Sequence, residues 1–153
     1  MDFVCASSQD MEELVRLRIA YLRTDGGVDA REEEELRQSL PAYFEEHLNR
    51  DCFVYAAKDG EKMVATVYLN VSNKPPRPSC KTGDFGIAYN VYTMPEYRRR
   101  GLARKLMLWL LDEAREKKLN YVALEATAEG YPVYMGIGFV ETVDEYRQMH
   151  IDL

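Results

Sequence analysis

Residues 85–126 constrain the fold of this chain most, because they read as a strand, a long helix and a second strand in direct succession. Residues 85–93 and 121–126 are apolar and aromatic runs of strand length. Residues 102–118 between them carry one apolar face at helical spacing, formed by Leu102, Leu106, Leu110 and Ala114. A β-α-β unit of this kind predicts a sheet with the helix packed on one face.

The first half of the chain predicts a hairpin instead. Residues 52–58 and 63–71 are rich in Val, Tyr and Phe, and the Asp59-Gly60 turn between them is typical of a hairpin. We further expect strands at 3–6, 139–143 and 147–153, and helices at 8–23, 29–48 and 131–135. Pro41 is expected to break or kink the second helix. This order indicates an α/β (α+β) fold with a mixed, mostly antiparallel central sheet of about six to seven strands and helices on both faces.

Length and charge narrow the class of protein. The 153 residues fit one domain, 1–153. The net charge of −6 repels phosphate backbones, so we expect no nucleic-acid partner. The longest strongly apolar run, residues 106–111, is far shorter than the ~20 residues that cross a bilayer, so we expect no membrane partner either.

The cysteines and the N-terminus predict a cytoplasmic protein. Cys5, Cys52 and Cys80 are odd in number and form no C-x-x-C pair, which favours a reducing compartment over a disulfide framework. Met1-Asp2-Phe3 is not a basic region followed by an apolar stretch, so we expect no signal peptide.

Residues 94–104, between the strand and the long helix, predict an anion site. The first turn of a helix has N–H groups without intrahelical partners, and phosphates bind there. Gly101 and Ala103 are small enough to let an anion approach the backbone. Five cations surround them: Arg98, Arg99, Arg100, Arg104 and Lys105. The alternative is a solvated basic helix start; neither a Walker loop nor a G-x-G-x-x-G fingerprint is present.

Two motifs resemble those of the GNAT N-acyltransferases. Arg98-x-x-Gly101-x-Ala103 is similar to the family's Q/R-x-x-G-x-G/A pyrophosphate motif. Residues 133–139, V-Y-M-G-I-G-F, are similar to its L-Y-x-x-x-G-F segment. The resemblance covers residues 85–139 and implies an acetyltransferase that uses acetyl-CoA (or CoA) as co-substrate, with no metal.

The resemblance also implies which residues bind the co-substrate. Val91 and Thr93 correspond to positions whose backbone binds the pantetheine arm and the thioester oxygen. Thr127 stands where the family often has a CoA-binding asparagine. The remaining implied CoA-binding residues form the pyrophosphate loop: Arg98, Arg99, Arg100, Gly101, Leu102, Ala103 and Arg104.

Two residues are candidates for catalysis, Tyr134 from the resemblance and Glu125 from its place in the predicted strand. Tyr134 corresponds to the tyrosine that faces the CoA sulfur and can donate a proton; the alternative is a core aromatic. Transfer also needs a base to deprotonate the attacking ammonium. Glu125, within the predicted strand 121–126, is our candidate, and Glu96 is the second; a structural ion pair with an arginine is the alternative for Glu125.

The acceptor has no motif of its own. We expect a small-molecule primary amine, bound between the turn at residues 25–28 and the proline-rich loop 72–83. Protein amines, a non-catalytic CoA-binding regulator and an anion-binding interaction module remain alternatives, and a homodimer stays open. Arg18, on the apolar stripe of the first helix, either pairs internally or contacts an anion near a cleft.

Overall fold

The computed structural model describes residues 1–142 and 148–153. One sheet has its strands in chain order: β1 (Asp2–Cys5), β2 (Cys52–Asp59), β3 (Lys62–Asn73), β4 (Asp84–Thr93) and β5 (Val122–Ala123). The first four pair antiparallel, and β5 pairs parallel with β4. The predicted mixed, mostly antiparallel sheet is therefore confirmed.

Helices cover both faces of the sheet, as predicted. On one face, α1 (Met11–Thr24) and α2 (Ala30–His47) bury an apolar cluster that includes Leu14, Leu17, Phe44, Val54 and Tyr68. On the other face, α3 (Leu102–Glu116) buries a second cluster that includes Leu106, Leu110, Val67 and Leu69. A short helix, α4 (Tyr131–Met135), packs its Tyr134 against this second cluster.

The strand count differs from the prediction of six to seven. The expected strand 121–126 is reduced to the two residues of β5, and residues 139–142 and 148–153 lie in no strand; Val143 and Arg147, which complete the predicted closing pair, lie outside the described residues. Val140 is 78% exposed and Met149 is 92% exposed. An apolar pattern forms a strand only where a neighbouring strand accepts its hydrogen bonds, and the two-residue β5 offers little edge.

Pro41 does not end α2, which continues through it from Ala30 to His47. Leu40 and Phe44, on either side of the proline, pack in the α1–α2 cluster. Tertiary packing of the apolar face therefore outweighs the one lost backbone hydrogen bond.

Among residues 1–142 and 148–153, no helix is both long and apolar enough to cross a bilayer. All three cysteines carry free thiols.

Candidate active site

The strands β4 and β5 separate soon after they begin to pair. Gly86 lies opposite Val122 and Ile87 opposite Ala123, and the Gly86 N–H donates to the Tyr121 carbonyl over 2.9 Å. Beyond these two pairs the strands have no further register. Among the described residues, no strand pairs with this edge of the second half of β4, and we term the space beside the unpaired edge the gap.

A β-bulge lies in β4 beside this gap. Tyr89 is opposite Tyr68 and Tyr92 is opposite Thr66, so β4 has one residue more than β3 in this interval. Asn90 occupies the bulge with a left-handed backbone, at φ 48°. Bulges of this kind redirect the backbone and side chains of a strand.

The bulge determines which backbone groups face the gap. Backbone N–H and C=O groups alternate in direction along a strand, and one extra residue exchanges the two sets. The Met94 N–H donates to the Val64 carbonyl on β3 over 2.9 Å. The backbone groups of Thr93 and Val91, one and three residues earlier, therefore point away from β3 and into the gap.

The far end of the gap is closed by Arg98. Its Nε donates to the Thr93 carbonyl over 3.1 Å, and its Nη1 lies 3.9 Å from the Glu129 carboxylate. One of the two groups predicted to bind the pantetheine arm, the Thr93 carbonyl, thus already has a protein donor. Val91 is the position left for the thioester end of the gap.

The loop that contains Arg98 leads directly into α3, and the backbone N–H groups at the start of this helix have no helical partners. Arg99 and Gly101 both have left-handed backbones, at φ 61° and φ 75°, and Gly101 caps α3 without a side-chain hydrogen bond. The first helical bond runs from Lys105 N–H to the Gly101 carbonyl, so the N–H groups of residues 102–104 lack helical partners. A Cβ added at Gly101 would meet nothing within 4 Å, so the space over this turn is open and an anion fits there.

Some arginines of this loop are hydrogen-bonded to the backbone, and others have no ion-pair partner among the described residues. Arg100 donates to the Glu96 carbonyl over 2.8 Å and lies 4.9 Å from the Tyr97 ring centroid. Arg99 and Arg104 are exposed, and neither forms an ion pair with any carboxylate in the described part of the chain. The open space over Gly101 is therefore strongly positive although the chain as a whole is acidic.

Tyr134 is buried in α4, with 8% of its surface exposed. Its ring lies over Gly130, where an added Cβ would come within 2.8 Å of Cε2 and 3.1 Å of the hydroxyl oxygen. Phe139 packs edge-on against it with a centroid distance of 6.0 Å. Burial raises the pKa of Tyr134 above its ordinary value, so the hydroxyl keeps its proton at neutral pH.

Thr127 stabilises the turn that leads into α4. Its Oγ1 accepts a hydrogen bond from the Gly130 N–H over 3.1 Å, and its carbonyl accepts one from the Tyr131 N–H over 2.9 Å. The residue predicted to contact CoA thus also sets the position of Tyr134.

Glu125 lies outside β5, so its predicted place within a strand is wrong. The pairing of β5 ends at Ala123, and Glu125 is exposed in the connection to α4. Among the described residues it has no ion pair with an arginine. The second candidate, Glu96, is 54% exposed in its side chain and lies 3.7 Å from Lys62 Nζ.

Asn90, which the sequence analysis missed, links α1 to the bulge. It is 2% exposed; its Nδ2 donates to Thr66 Oγ1 over 3.2 Å, and its Oδ1 accepts from Arg18 Nη1 over 2.7 Å. An amide in the middle of an apolar strand run was the available signal, because buried polar side chains need partners. Arg18 therefore has an internal hydrogen-bond partner for one of its donors, the neutral amide of Asn90.

The proline-rich loop lies away from the bulge. Asn120 ties it to the start of β4 by donating to Thr82 Oγ1 and to the Asp84 carbonyl, over 2.5 and 2.9 Å. From Asp84 to Asn90 the strand spans about 20 Å at ~3.3 Å per residue. The turn at residues 25–28, the other segment expected to flank the acceptor, directly follows α1.

The model of the Acetyltransferase (GNAT) family matches residues 12–139, which include both layers of helices and the whole sheet after β1. The chain belongs to this family. The fold is thus that of a GNAT acetyltransferase, as the resemblance implied. No protein of curated function shows a significant sequence match to the chain.

Solved structures agree with this membership. A predicted acetyltransferase from Clostridium acetobutylicum, crystallised with acetyl-CoA, is 29% identical, with a TM-score of 0.85 over 97% of this chain and 95% of that one. A GCN5-related N-acetyltransferase from Ralstonia eutropha is 25% identical, with a TM-score of 0.74 over 97% of both chains. An aminoglycoside 6'-N-acetyltransferase from Acinetobacter haemolyticus, 18% identical with a TM-score of 0.70 over 99% of this chain and 100% of that one, shares the fold.

Within residues 1–142 and 148–153, no three His, Cys, Asp or Glu side chains are grouped so that they could hold a metal ion.

Proposed function

We propose that this protein is an N-acetyltransferase that moves the acetyl group of acetyl-CoA to the primary amine of a small molecule, in the cytoplasm. The observation that carries the proposal is the bulge in β4, which turns the Val91 backbone into a gap between the open start of α3 and the buried Tyr134. A donor for a carbonyl oxygen, a site for phosphates and a proton source would then lie along one groove.

The co-substrate would bind from the start of α3 inward. The pyrophosphate would accept hydrogen bonds from the N–H groups of residues 99–104, with Arg99 and Arg104 supplying unpaired charge. Arg98 and Arg100 stabilise the loop by donating hydrogen bonds to backbone carbonyls. Thr93 and Val91 would then line the pantetheine arm, and the Val91 N–H would bind the thioester oxygen.

The reaction would proceed by direct attack. The neutral amine nitrogen forms a bond to the thioester carbon, the C–S bond breaks, and the sulfur leaves as a thiolate. The nitrogen gives up one proton as the amide forms and the thiolate takes up one, so the products are the acetamide and free CoA. The Val91 N–H stabilises the negative charge that develops on the carbonyl oxygen. Tyr134 hydrogen-bonds the leaving sulfur, and Glu125, directly or through water, accepts the proton that the ammonium loses.

The test is an amine panel with acetyl-CoA, in which thiol release and the mass of the acetylated product are both recorded. Acetyl transfer to at least one amine, with 1:1 release of CoA, is the expected result. Tight acetyl-CoA binding without turnover of any amine would instead indicate a non-catalytic CoA-binding regulator.

A further inference from the structure

Arg18 places a half-buried cation on the side of the sheet opposite α3 and α4. It lies on α1, its Nη1 donates to the Asn90 side chain over 2.7 Å, and its Cζ is 5.4 Å from the Tyr21 ring centroid. Asn90 directly precedes Val91, the position assigned above to the thioester oxygen. The guanidinium therefore lies next to the proposed reaction centre.

The charge of Arg18 has no counter-ion among residues 1–142 and 148–153, although the chain has 26 acidic and 20 basic side chains. Its neighbours on the same helix are paired: Arg16 lies 2.6 Å from Glu13, and Arg23 lies 2.7 Å from Glu33. A guanidinium has five N–H donors, and the bond to Asn90 uses one. Partly buried cations ordinarily have a paired anion, so a half-buried guanidinium without a counter-ion indicates a ligand anion.

The position of Arg18 connects this anion with the acceptor. The α3 and α4 face is occupied by the proposed co-substrate site, so the acceptor enters from the α1 face. A simple amine, charged in solution, would be repelled by the guanidinium. An amine that also carries a carboxylate would be attracted, because carboxylates match the planar fork of arginine.

The rest of this face suits a zwitterion. Tyr21 and Tyr92 pack edge to face with a centroid distance of 6.3 Å and place aromatic rings next to Arg18. Asp25 lies beside Tyr21 at the end of α1, where burial, together with this carboxylate, raises the pKa of Tyr21 to about 12. Arg18 and Asp25 thus both lie next to Tyr21 and carry opposite charges.

We infer that the acceptor is an amino acid with a free carboxylate, and that Arg18 binds this carboxylate while the amine lies at the thioester. The inference rests on the proposed acetyl transfer, and it specifies the chemical class of the molecule that accepts the acetyl group. Arg18 acts here as a specificity residue.

The experiment compares each amino acid with its own carboxamide as acceptor. The parent should prefer the acids by about 10–100-fold in kcat/KM, the value of a hydrogen-bonded charge pair. Arg18→Met should lose this preference, and Arg18→Lys should keep part of it. Arg23→Met, on the exposed part of the same helix, is the control and should keep the full preference.

Two outcomes would overturn the inference: equal kcat/KM for acids and carboxamides in the parent, or an equal loss for both in Arg18→Met. The second outcome would mean that Arg18 only holds Asn90 and the bulge in place. Calorimetric titration of the same acids and amides, with CoA present, separates this inference from the proposed function. Arg18-dependent binding of acids without any turnover would uphold the carboxylate site and refute the acetyl transfer.

Discussion

The chemistry at the scale of single residues depends on how Tyr134 can help a thiolate leave. An ordinary tyrosine pKa is about 10 and a thiol pKa is about 8.5, so full proton transfer from an unperturbed tyrosine costs ~2 kcal/mol. Burial raises the pKa of Tyr134, which makes full transfer more costly. The hydroxyl would therefore act mainly as a hydrogen-bond donor to the developing charge, and it would stay protonated to a higher pH than a free tyrosine.

The substitution Tyr134→Phe tests this role, because it removes the hydroxyl and keeps the ring that packs on Phe139. We expect kcat to fall by roughly 10²–10⁴-fold, with acetyl-CoA affinity nearly unchanged. Steady-state kinetics and an acetyl-CoA titration measure the two quantities. Tyr131→Phe, an exposed tyrosine on the same helix, is the matched control. A kcat within about threefold of the parent would make Tyr134 a packing residue only.

At the scale of elements, the junction between β4 and α3 combines backbone donors with charge. Gly101 contributes its left-handed conformation and the open space above it, and the unpaired arginines contribute the positive field. The conformation and the space can be tested separately, because a methyl group at this position meets no neighbour whereas a carboxylate would occupy the phosphate position.

Gly101→Glu should weaken acetyl-CoA binding on the order of 100-fold or more, since it places a like charge against the pyrophosphate. Gly101→Ala should cost ~1–2 kcal/mol of stability, because alanine is strained at φ 75°, but it should leave the affinity close to that of the parent. Isothermal titration gives the affinities, and thermal unfolding without ligand gives the stabilities. Equal affinity in the glutamate variant and the parent would place the pyrophosphate elsewhere.

How far the sequence predicted these elements depends on whether their causes are local. The start of α3 was predictable, because the glycine, the cations and the apolar face are adjacent in the chain. The bulge was not predictable, because one extra residue leaves the apolar run of β4 unchanged. Asn90 is the one polar residue in this run that indicates it. The length of β5 was predicted wrongly: residues 124–126 continue the run of β5 in the sequence, but among the described residues no strand pairs with them. The link between Arg18 and Asn90 joins residues 72 positions apart, which no local pattern reports.

For the whole molecule, the two proposed substrate sites would lie on opposite faces of the sheet. The layer with α3 and α4 holds the proposed acetyl-CoA groove, and the layer with α1 holds Arg18. Two carboxylates connect α1 and the turn before it to the β2–β3 hairpin. The Asp10 carboxylate lies 2.5 Å from Lys58 Nζ, and the Glu13 carboxylate accepts a hydrogen bond from the Met63 N–H over 2.5 Å. The α1 layer therefore has charged contacts with the hairpin in addition to its apolar packing, while the α3 layer packs on the sheet through its apolar cluster.

This difference predicts how the molecule responds to acid. Burial opposes ionisation of Asp10, but hydrogen bonds from Lys58 and Ser7 outweigh it and lower its pKa; the hydrogen bond from Arg16 lowers the pKa of Glu13 against the effect of burial. A carboxylate with a lowered folded-state pKa stabilises the protein fully above its unfolded pKa of about 4, and this stability is lost as the pH falls through the folded value. The free energy of unfolding should therefore be nearly constant from neutral pH to about 5 and decline below pH 4.

Asp10→Asn should remove part of the pH dependence of the free energy of unfolding. It leaves Lys58 without its anion, which for a pair this poorly exposed should cost ~1–2 kcal/mol at pH 7, or roughly 2–8 °C in Tm. The variant's unfolding free energy should also fall less steeply below pH 4, and its acetyl-CoA affinity should match that of the parent because the α3 layer is untouched. Denaturant unfolding between pH 3 and 8 provides the comparison, with the exposed pair variant Asp112→Asn as control. If Asp10→Asn and the parent lose stability in parallel on acidification, Asp10 does not fasten the α1 layer, and the acid sensitivity arises from other carboxylates.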